Sequence, residues 1–273
     1  IKSQIEPYSE VLSQNWTSEI GWENNRLSTK AYDETNHVLT NYEYTPDSVL
    51  TWKYRQKTIN NYNFVQGFLL PSLSTTYSYA DTGWMKMAVV DYTFDTDFRM
   101  VQSRMYLILG GSTMMLYGQA DMTYNSINNV LLEVVQMLNF QTGMLEYTSK
   151  TEYNYSPNDP NDLTSIIDYK YDNGAWVGDQ KNTYTRNAAY QILTELEELY
   201  VTPDSLQKIR YQVSQYFNDT VLVSLDITNY DEETGQYSSR SKNTYSYDER
   251  NNCITDLSQE FIEESNGWVD TYR

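Results

Sequence analysis

The sequence is poor in the residues on which most catalytic and metal sites depend. It contains one cysteine, Cys253, and one histidine, His37, among 273 residues. A single cysteine excludes an internal disulfide framework, and a single histidine excludes a metal site built from several imidazoles. Cys253 falls in a predicted strand, where we expect a buried small apolar side chain. The sequence therefore predicts no catalytic residues, no metal site and no cofactor.

Glycine, positive charge and long apolar runs are also scarce. The eleven glycines fall mostly in turns and form neither a P-loop nor a dinucleotide fingerprint. Nineteen Lys and Arg against 37 Asp and Glu give a formal charge of −18, which argues against nucleic acids and anionic membrane surfaces as partners. No run approaches the ~18 apolar residues of a membrane helix. We therefore expect no integral membrane segment, and this chain shows no export signal.

Tyrosine is abundant, and it follows an internal repeat. The chain has 27 tyrosines against seven phenylalanines. The segments Ser149–Trp176 and Ser241–Trp268 both open on Ser-Lys, carry two tyrosines at matched positions, and close on Asn-Gly shortly before a tryptophan. The distance from the first tyrosine to the tryptophan is the same in both. Such a repeat dictates the architecture of a chain.

The repeat continues along the chain with a period of about 31 residues, within the range of known repeat architectures. In each unit the residue after a turn is an anchor, and a partner that is usually tyrosine stands ten residues later. The anchors are Trp22, Trp52, Trp84, Met114, Leu145, Trp176, Leu206, Tyr237 and Trp268. An even interval places anchor and partner on the same side of a strand, whereas a helix would turn them about 80° apart.

Turn signals mark both ends of each strand pair. The tetrads at 125–128 and 248–251 begin and end with Asn or Asp, which favour tight turns. At the other end stand turns such as Asp172-Asn-Gly174, and Asn-Gly is a strong hairpin signal. Each unit is therefore a β-hairpin. The sequence predicts an all-β fold, an antiparallel meander of eight to nine tandem hairpin repeats that form one long twisted or curled sheet.

The unbroken period predicts a single repeat array over residues 1–273. A partial first unit occupies 1–21, and a truncated last unit begins at 268. The central units, 84–145, contain all nine methionines. Their strands are apolar at odd and even positions alike, a pattern typical of strands that are covered on both faces.

The central strands lead to a prediction about burial. We expect Met105, Leu107, Leu132 and Val134 to be buried, either because the sheet curls around them or because a partner covers them. By contrast, we expect most of 237–243 to be partly exposed.

Residues 188–217 give a mixed signal. Ala188–Tyr200 has apolar residues at helical spacing and is rich in helix formers. However, Tyr190 and Tyr216 stay near the phase of the repeat, and a helix would break the register of the hairpins. We therefore predict strands across this segment.

The remaining candidate for a functional site is the aromatic stripe that the repeat creates. Strand pairing should place aromatic residues of successive units side by side. The stripe is then either a structural ladder of cross-strand pairs or a platform that stacks sugar rings or docks a protein. The candidate ligand-binding residues are Trp22, Trp52, Trp84, Trp176, Tyr237 and Trp268. The partner would be an unknown protein or a glycan.

The motif Tyr-x-Tyr-Asp-x-x-Asn at Tyr245–Asn251, with variants at Tyr92–Asp97 and Tyr153–Asn158, resembles the tyrosine-rich repeats of the YD type. The resemblance covers most of the chain and is similar in style to poorly characterised exported repeat proteins of Bacteroidetes-type bacteria. In YD relatives such as Rhs and toxin-shell proteins, hairpins form a spiralling sheet around a cavity. Those arrays usually keep a glycine after the Asp turn. Asn36, Asn128 and Asn251 occupy similar places in this chain.

These features predict a non-catalytic structural or interaction module that is exported to the bacterial cell surface, the extracellular space or the periplasm. The alternative is a glycan-binding or glycan-hydrolysing protein that uses the aromatic stripe. Hydrolysis would require a pair of carboxylates, and no pair stands out among the 37 acidic residues.

Overall fold

The computed structural model describes residues 9–17, 21–32, 38–48, 51–66, 68–80, 83–110, 112–217 and 220–272. The side chains of 9–27, 32, 39, 45–48, 51–52 and 272 are also outside the description. His37 and Asn36 lie outside the described residues.

Within the described residues the chain forms eighteen β-strands, one short 3₁₀-helix and no α-helix, which confirms the predicted all-β fold. The strands are β1 Ser9–Thr17, β2 Gly21–Tyr32, β3 Val38–Ser48, β4 Thr51–Val65, β5 Phe68–Ala80, β6 Gly83–Phe94, β7 Met100–Leu109, β8 Thr113–Tyr124, β9 Val130–Asn139, β10 Met144–Ser156, β11 Asp159–Asp172, β12 Ala175–Arg186, β13 Ile192–Thr202, β14 Ser205–Phe217, β15 Val221–Tyr230, β16 Tyr237–Tyr247, β17 Cys253–Ile262 and β18 Gly267–Tyr272. The 3₁₀-helix Glu263–Ser265 joins β17 to β18.

The described strands belong to one sheet, in which strands that follow one another in the sequence pair antiparallel. This confirms the predicted meander of hairpins. Most strands contain 9 to 15 residues, longer than the usual ~5–6 residues. The long strands let one hairpin hold an anchor near one end and its partner near the other.

The chain divides into two compact units. One comprises Ile1–Asp121 with Val135–Glu146, and the other comprises Met122–Val134 with Tyr147–Arg273. The predicted partial unit 1–21 contains β1, and the last predicted unit begins at residue 268 inside β18.

The turn that follows a partner residue is closed by an Asp or Asn side chain. One carboxylate oxygen of Asp248 accepts the backbone N–H groups of Arg250 and Asn252, each at 2.8 Å. Asn251 then adopts a left-handed conformation with a φ of 61°. Asparagine tolerates this conformation better than most residues, so it can take a turn position that otherwise favours glycine. The same turn begins at Asp95, Asn125 and Asn187.

The turn that precedes the anchor Trp176 is formed by Asn173-Gly174. Asp172 and Ala175 pair directly, so the loop contains two residues, and their φ angles are 49° and 84°. Positive φ at both positions is the requirement of the type I′ hairpin turn. The Asn-Gly signal in the sequence therefore predicts this turn correctly.

Residues 188–217 form strands and turns rather than a helix, as the phase of the repeat predicts. They contain a turn that ends at Gln191, then β13 and β14, which pair antiparallel. Both faces of β13 carry half-buried side chains. Apolar residues can therefore stand at odd and even positions of this strand, and their spacing need not follow strict alternation.

The central strands are less buried than the sequence predicts, so this prediction is wrong. Met105, Leu107, Leu132 and Val134 are only half-buried, and among the described apolar side chains Val89 alone is buried, at 2% exposed. The extensive contacts between described strands join neighbours in the sequence, so these side chains are covered at least in part by residues of the adjacent strands. Four central methionines are exposed by 44–70%: Met85, Met87, Met114 and Met144.

Two smaller predictions have opposite outcomes. Residues 237–240 are exposed and 241–243 are half-buried, as expected for that strand. Cys253 is exposed rather than buried, because it is the first residue of β17, directly after a turn. Its Sγ lies 3.2 Å from the carbonyl oxygen of Thr255.

Candidate functional site

Trp84 stands at the centre of an aromatic cluster in the first compact unit. It pairs in register with Tyr79 of the adjacent strand, and their ring centroids lie 5.1 Å apart in an edge-to-face arrangement. The ring of Tyr54 lies 5.4 Å away. The ammonium of Lys57 lies 4.6 Å from the Trp84 centroid. The indole is half-buried and is contacted by these residues of β4 and β5.

Trp176 repeats this arrangement in the second compact unit. Its ring lies 5.0 Å from that of Tyr171, its partner in register, and 5.5 Å from that of Tyr147. The ammonium of Lys150 lies 5.6 Å from the Trp176 centroid and 3.8 Å from the centroid of Tyr169. Edge-to-face rings and a cation over a ring each contribute about 0.5–1.5 kcal/mol.

Trp268 forms a third cluster with different neighbours. It pairs with Phe261 at 5.4 Å between centroids. The cation over its ring is the guanidinium of Arg240, at 5.3 Å. The steps from Trp84 to Trp176 and from Trp176 to Trp268 are equal, and each spans three repeat units. A tryptophan that contacts a cross-strand ring and a cation therefore recurs in every third unit.

The other predicted site residues take separate places. Tyr237 opens β16 opposite Tyr230 and is 39% exposed. Trp22 pairs in register with Trp16, and Trp52 with Pro46; the side chains of these pairs lie outside the described residues. Among the described side chains of Tyr147–Arg273, no ring contact joins Trp176 to Trp268 or Tyr237.

Three partner tyrosines also have a structural role. Each donates its hydroxyl proton to a backbone carbonyl at the start of the preceding strand, at 2.7–3.1 Å. The donor and acceptor pairs are Tyr62 with Val38, Tyr155 with Val130, and Tyr247 with Leu222.

A polar network surrounds the lysine of the middle cluster. Lys150 binds Glu152 at 2.7 Å, and the hydroxyl of Tyr169 donates to the same carboxylate at 2.9 Å. Burial and this hydrogen bond raise the pKa of Tyr169 to about 12. Burial by itself would raise the pKa of Glu152, but the hydrogen bonds from Lys150 and Tyr169 outweigh it and lower that pKa.

A polar depression of about 280 Å³ lies beside the third cluster. Its walls include Gln215, Ser224, Asp226, Thr228, Arg240 and Lys242. Arg240 binds both carboxylate oxygens of Asp226, at 2.8 and 2.5 Å, and this carboxylate raises the pKa of the guanidinium further. Lys242 stands opposite Asp226 in register. Sequence reasoning missed this site, although the Ser-Lys pairs at 149–150 and 241–242 mark its lysine as a repeat position.

The described carboxylates with shifted pKa values are mostly turn residues. Hydrogen bonds within their own turns lower the pKa of Asp95, Asp231 and Asp248. Within the described residues, no group of three or more His, Cys, Asp and Glu side chains is arranged to hold a metal ion. The same part of the chain contains no helix with the length and apolar character needed to cross a membrane.

No protein-family model and no curated protein match the sequence. A protein of unknown function from Bacteroides fragilis is similar at 17% identity and a TM-score of 0.38, over 49% of this chain and 94% of that one. A porin-like protein from Bacteroides uniformis is similar at 11% identity and a TM-score of 0.41, over 97% of this chain and 95% of that one. The Tc holotoxin pore of Photorhabdus luminescens is similar at 13% identity and a TM-score of 0.43. There the match covers 90% of this chain and 14% of the toxin chain.

Proposed function

We propose that the chain is a non-catalytic repeat module that binds a partner outside the bacterial cytoplasm. The observation that supports this is the use of the repeated residues. In the first two aromatic clusters, the tryptophan, tyrosines and lysine contact one another across neighbouring strands. Side chains that are occupied in this way serve the scaffold. The third cluster keeps the scaffold and adds an open polar depression beside it.

The composition of the depression favours binding over hydrolysis. Asp226 is the carboxylate in its lining, and Arg240 holds both of its oxygens. Glycoside hydrolysis usually needs two carboxylates, one of which must be free to donate or accept a proton. The site therefore suits a glycan-binding role better than a glycan-hydrolysing one.

We also propose that the chain is a repeat protein of the YD type that is exported to the cell surface. The motif at Tyr245–Asn251 supports this proposal. Its second tyrosine donates to a carbonyl of the preceding strand, its aspartate closes the turn, and Asn251 takes the left-handed position. The formal charge of −18 is in keeping with a soluble surface in this setting.

Binding and turnover can be separated in one set of measurements. The purified chain is applied to an array of bacterial, plant and animal glycans and to immobilised extracellular proteins. The same preparation is incubated with polysaccharides and chromogenic glycosides, and released products are measured. We expect saturable binding to at least one partner without product release. Release of sugar or the absence of any binding would contradict the proposal.

A further inference from the structure

The lysine five residues after an anchor occurs four times, at Lys57, Lys150, Lys181 and Lys242. Three of them, Lys57, Lys150 and Lys242, belong to the tryptophan clusters, and two of these three have partners there. Lys57 lies 4.6 Å from the tryptophan centroid of its cluster. Lys150 lies 3.8 Å from the ring of Tyr169 and 2.7 Å from Glu152. Among the described residues, Lys242 has neither a carboxylate within salt-bridge distance nor a ring beneath its ammonium.

The aromatic and acidic partners of the middle copy are replaced in the third copy. Lys150 pairs in register with Tyr169, whereas Lys242 pairs with Gln259. The glutamate two residues after the middle lysine becomes Thr244. The last lysine thus lost both the ring and the carboxylate that hold its counterpart.

Arg240 has taken over the structural role of that lysine. Its guanidinium lies over the Trp268 ring at 5.3 Å and binds both oxygens of Asp226. The bidentate pair satisfies the charge of Asp226. Lys242, in the wall of the same depression, keeps its own charge unmatched.

The other walls offer neutral hydrogen-bonding groups and one aromatic ring. Thr228 supplies a hydroxyl and Gln215 an amide, whereas Ser224 is only 7% exposed. The ring of Tyr211, also in the lining, is 36% exposed. The volume of about 280 Å³ is near the lower end of small-ligand sites, ~300 Å³. The site therefore suits a small ligand with several hydroxyls and one negative charge.

We infer that this depression binds an acidic sugar, a saccharide unit that carries one carboxylate. Lys242 binds the carboxylate, Thr228 and Gln215 bind ring hydroxyls, and the Tyr211 ring packs against the apolar face of the sugar. This inference rests on the proposed binding module and specifies the chemistry of its ligand.

Other ligands fit these walls less well. A phosphate group is usually held by several N–H donors or by an arginine fork, and the fork of Arg240 is occupied by Asp226. A polyanion is repelled by a chain with a formal charge of −18. A neutral sugar leaves the ammonium of Lys242 without a charged acceptor.

Titration with matched small ligands tests the inference. Methyl glucuronide and methyl galacturonide are the acidic probes, methyl glucoside is the neutral control, and inorganic phosphate is the second anion. Binding is followed by saturation-transfer NMR and calorimetry. We expect at least one acidic probe to bind about tenfold or more tightly than the glucoside and the phosphate, equivalent to ~1.4 kcal/mol. Added salt should weaken this binding.

Three variants locate the site. Lys242→Gln should weaken binding of the acidic probe about tenfold or more. Lys150→Gln, at the equivalent position, and Lys208→Gln, at an exposed lysine, should leave the affinity within about twofold, a change of only ~0.4 kcal/mol. Circular dichroism establishes that each variant is folded at the assay temperature.

Several outcomes would overturn the inference. They are equal binding of acidic and neutral sugars, tighter binding of phosphate, or an unchanged affinity in Lys242→Gln. Absence of binding of both acidic probes would do the same. If the array then still shows another partner, the acidic-sugar inference fails and the binding module stands. If nothing binds, both fail.

Discussion

The hydroxyl of Tyr247 donates a 2.7 Å hydrogen bond to the backbone carbonyl of Leu222, near the start of the preceding strand. Strand pairing between β15 and β16 ends at Ser224 and Thr244, so this carbonyl lies beyond the last strand pair. The tyrosine supplies the donor that β16 does not. This explains why the partner position favours tyrosine over phenylalanine.

Removal of that hydroxyl should weaken the fold. We expect Tyr247→Phe to lower the free energy of unfolding by about 1 kcal/mol, the usual net contribution of one hydrogen bond. Urea unfolding followed by circular dichroism measures the change. Tyr237→Phe is the matched control, because Tyr237 is exposed and should change stability by less than about 0.5 kcal/mol. Equal losses in both variants would contradict the structural role of the bond.

The network of Tyr169 predicts a loss of stability at alkaline pH. The pKa of Tyr169 is raised to about 12 in the folded chain, against ~10 for an unfolded tyrosine. The folded state therefore holds the phenol proton more tightly. This stabilisation is complete below pH ~10 and is lost as the pH rises through 12.

Urea unfolding at several values between pH 8 and pH 11.5 measures this dependence. We expect Tyr169→Phe to flatten the decline of the free energy of unfolding above pH ~10. Tyr237→Phe serves again as the control and should leave the decline unchanged. An identical decline in Tyr169→Phe and the wild type would contradict the prediction.

Tryptophan truncation distinguishes a structural ladder from an open platform. Trp176 contacts the rings of Tyr147 and Tyr171, whereas Trp268 contacts one ring, that of Phe261. Because Trp176 is half-buried, we expect Trp176→Ala to cost about 2–3 kcal/mol, below the ~3–5 kcal/mol for a fully buried ring. Trp268→Ala should cost less. Thermal melts that fall by the same large amount would refute this difference.

The left-handed backbone conformation of Asn251 predicts opposite effects of two substitutions on the melting temperature. Asn251 has a φ of 61°, which glycine adopts freely and a β-branched residue adopts at a cost of about 1–2 kcal/mol. Asn251→Gly should therefore keep or slightly raise the melting temperature, and Asn251→Val should lower it. If the two variants melt together, the turn has a different conformation in solution.

The regular features of the fold could be predicted because they depend on local sequence. Asn173-Gly174 forms its hairpin turn from two residues alone. The strands at 192–217 follow from the phase of the repeat, which overrides the helical spacing of their apolar residues. In both cases the information lies within one or two hairpins.

Burial and the functional site could not be predicted in the same way. Met105 has the sequence pattern of a core residue but is only half-buried, because its burial depends on what packs over that face of the sheet, which an alternation pattern does not reveal. The partner of Lys242 depends on the register that places Gln259 opposite it. That register includes shifts such as the one between Ser246 and Tyr247, which move later residues out of simple alternation.

A comparison of the equivalent lysines Lys150 and Lys242 tests most directly whether Lys242 has no structural role and is available to bind a ligand. Lys150→Gln removes a salt bridge and a cation over a ring, together worth about 1–2 kcal/mol. Its melting temperature should fall by about 2–6 °C. Lys242→Gln removes no described partner and should melt within about 1 °C of the wild type. A fall in melting temperature for Lys242→Gln as large as that for Lys150→Gln would show that Lys242 has a structural role. That result would contradict its assignment to ligand binding.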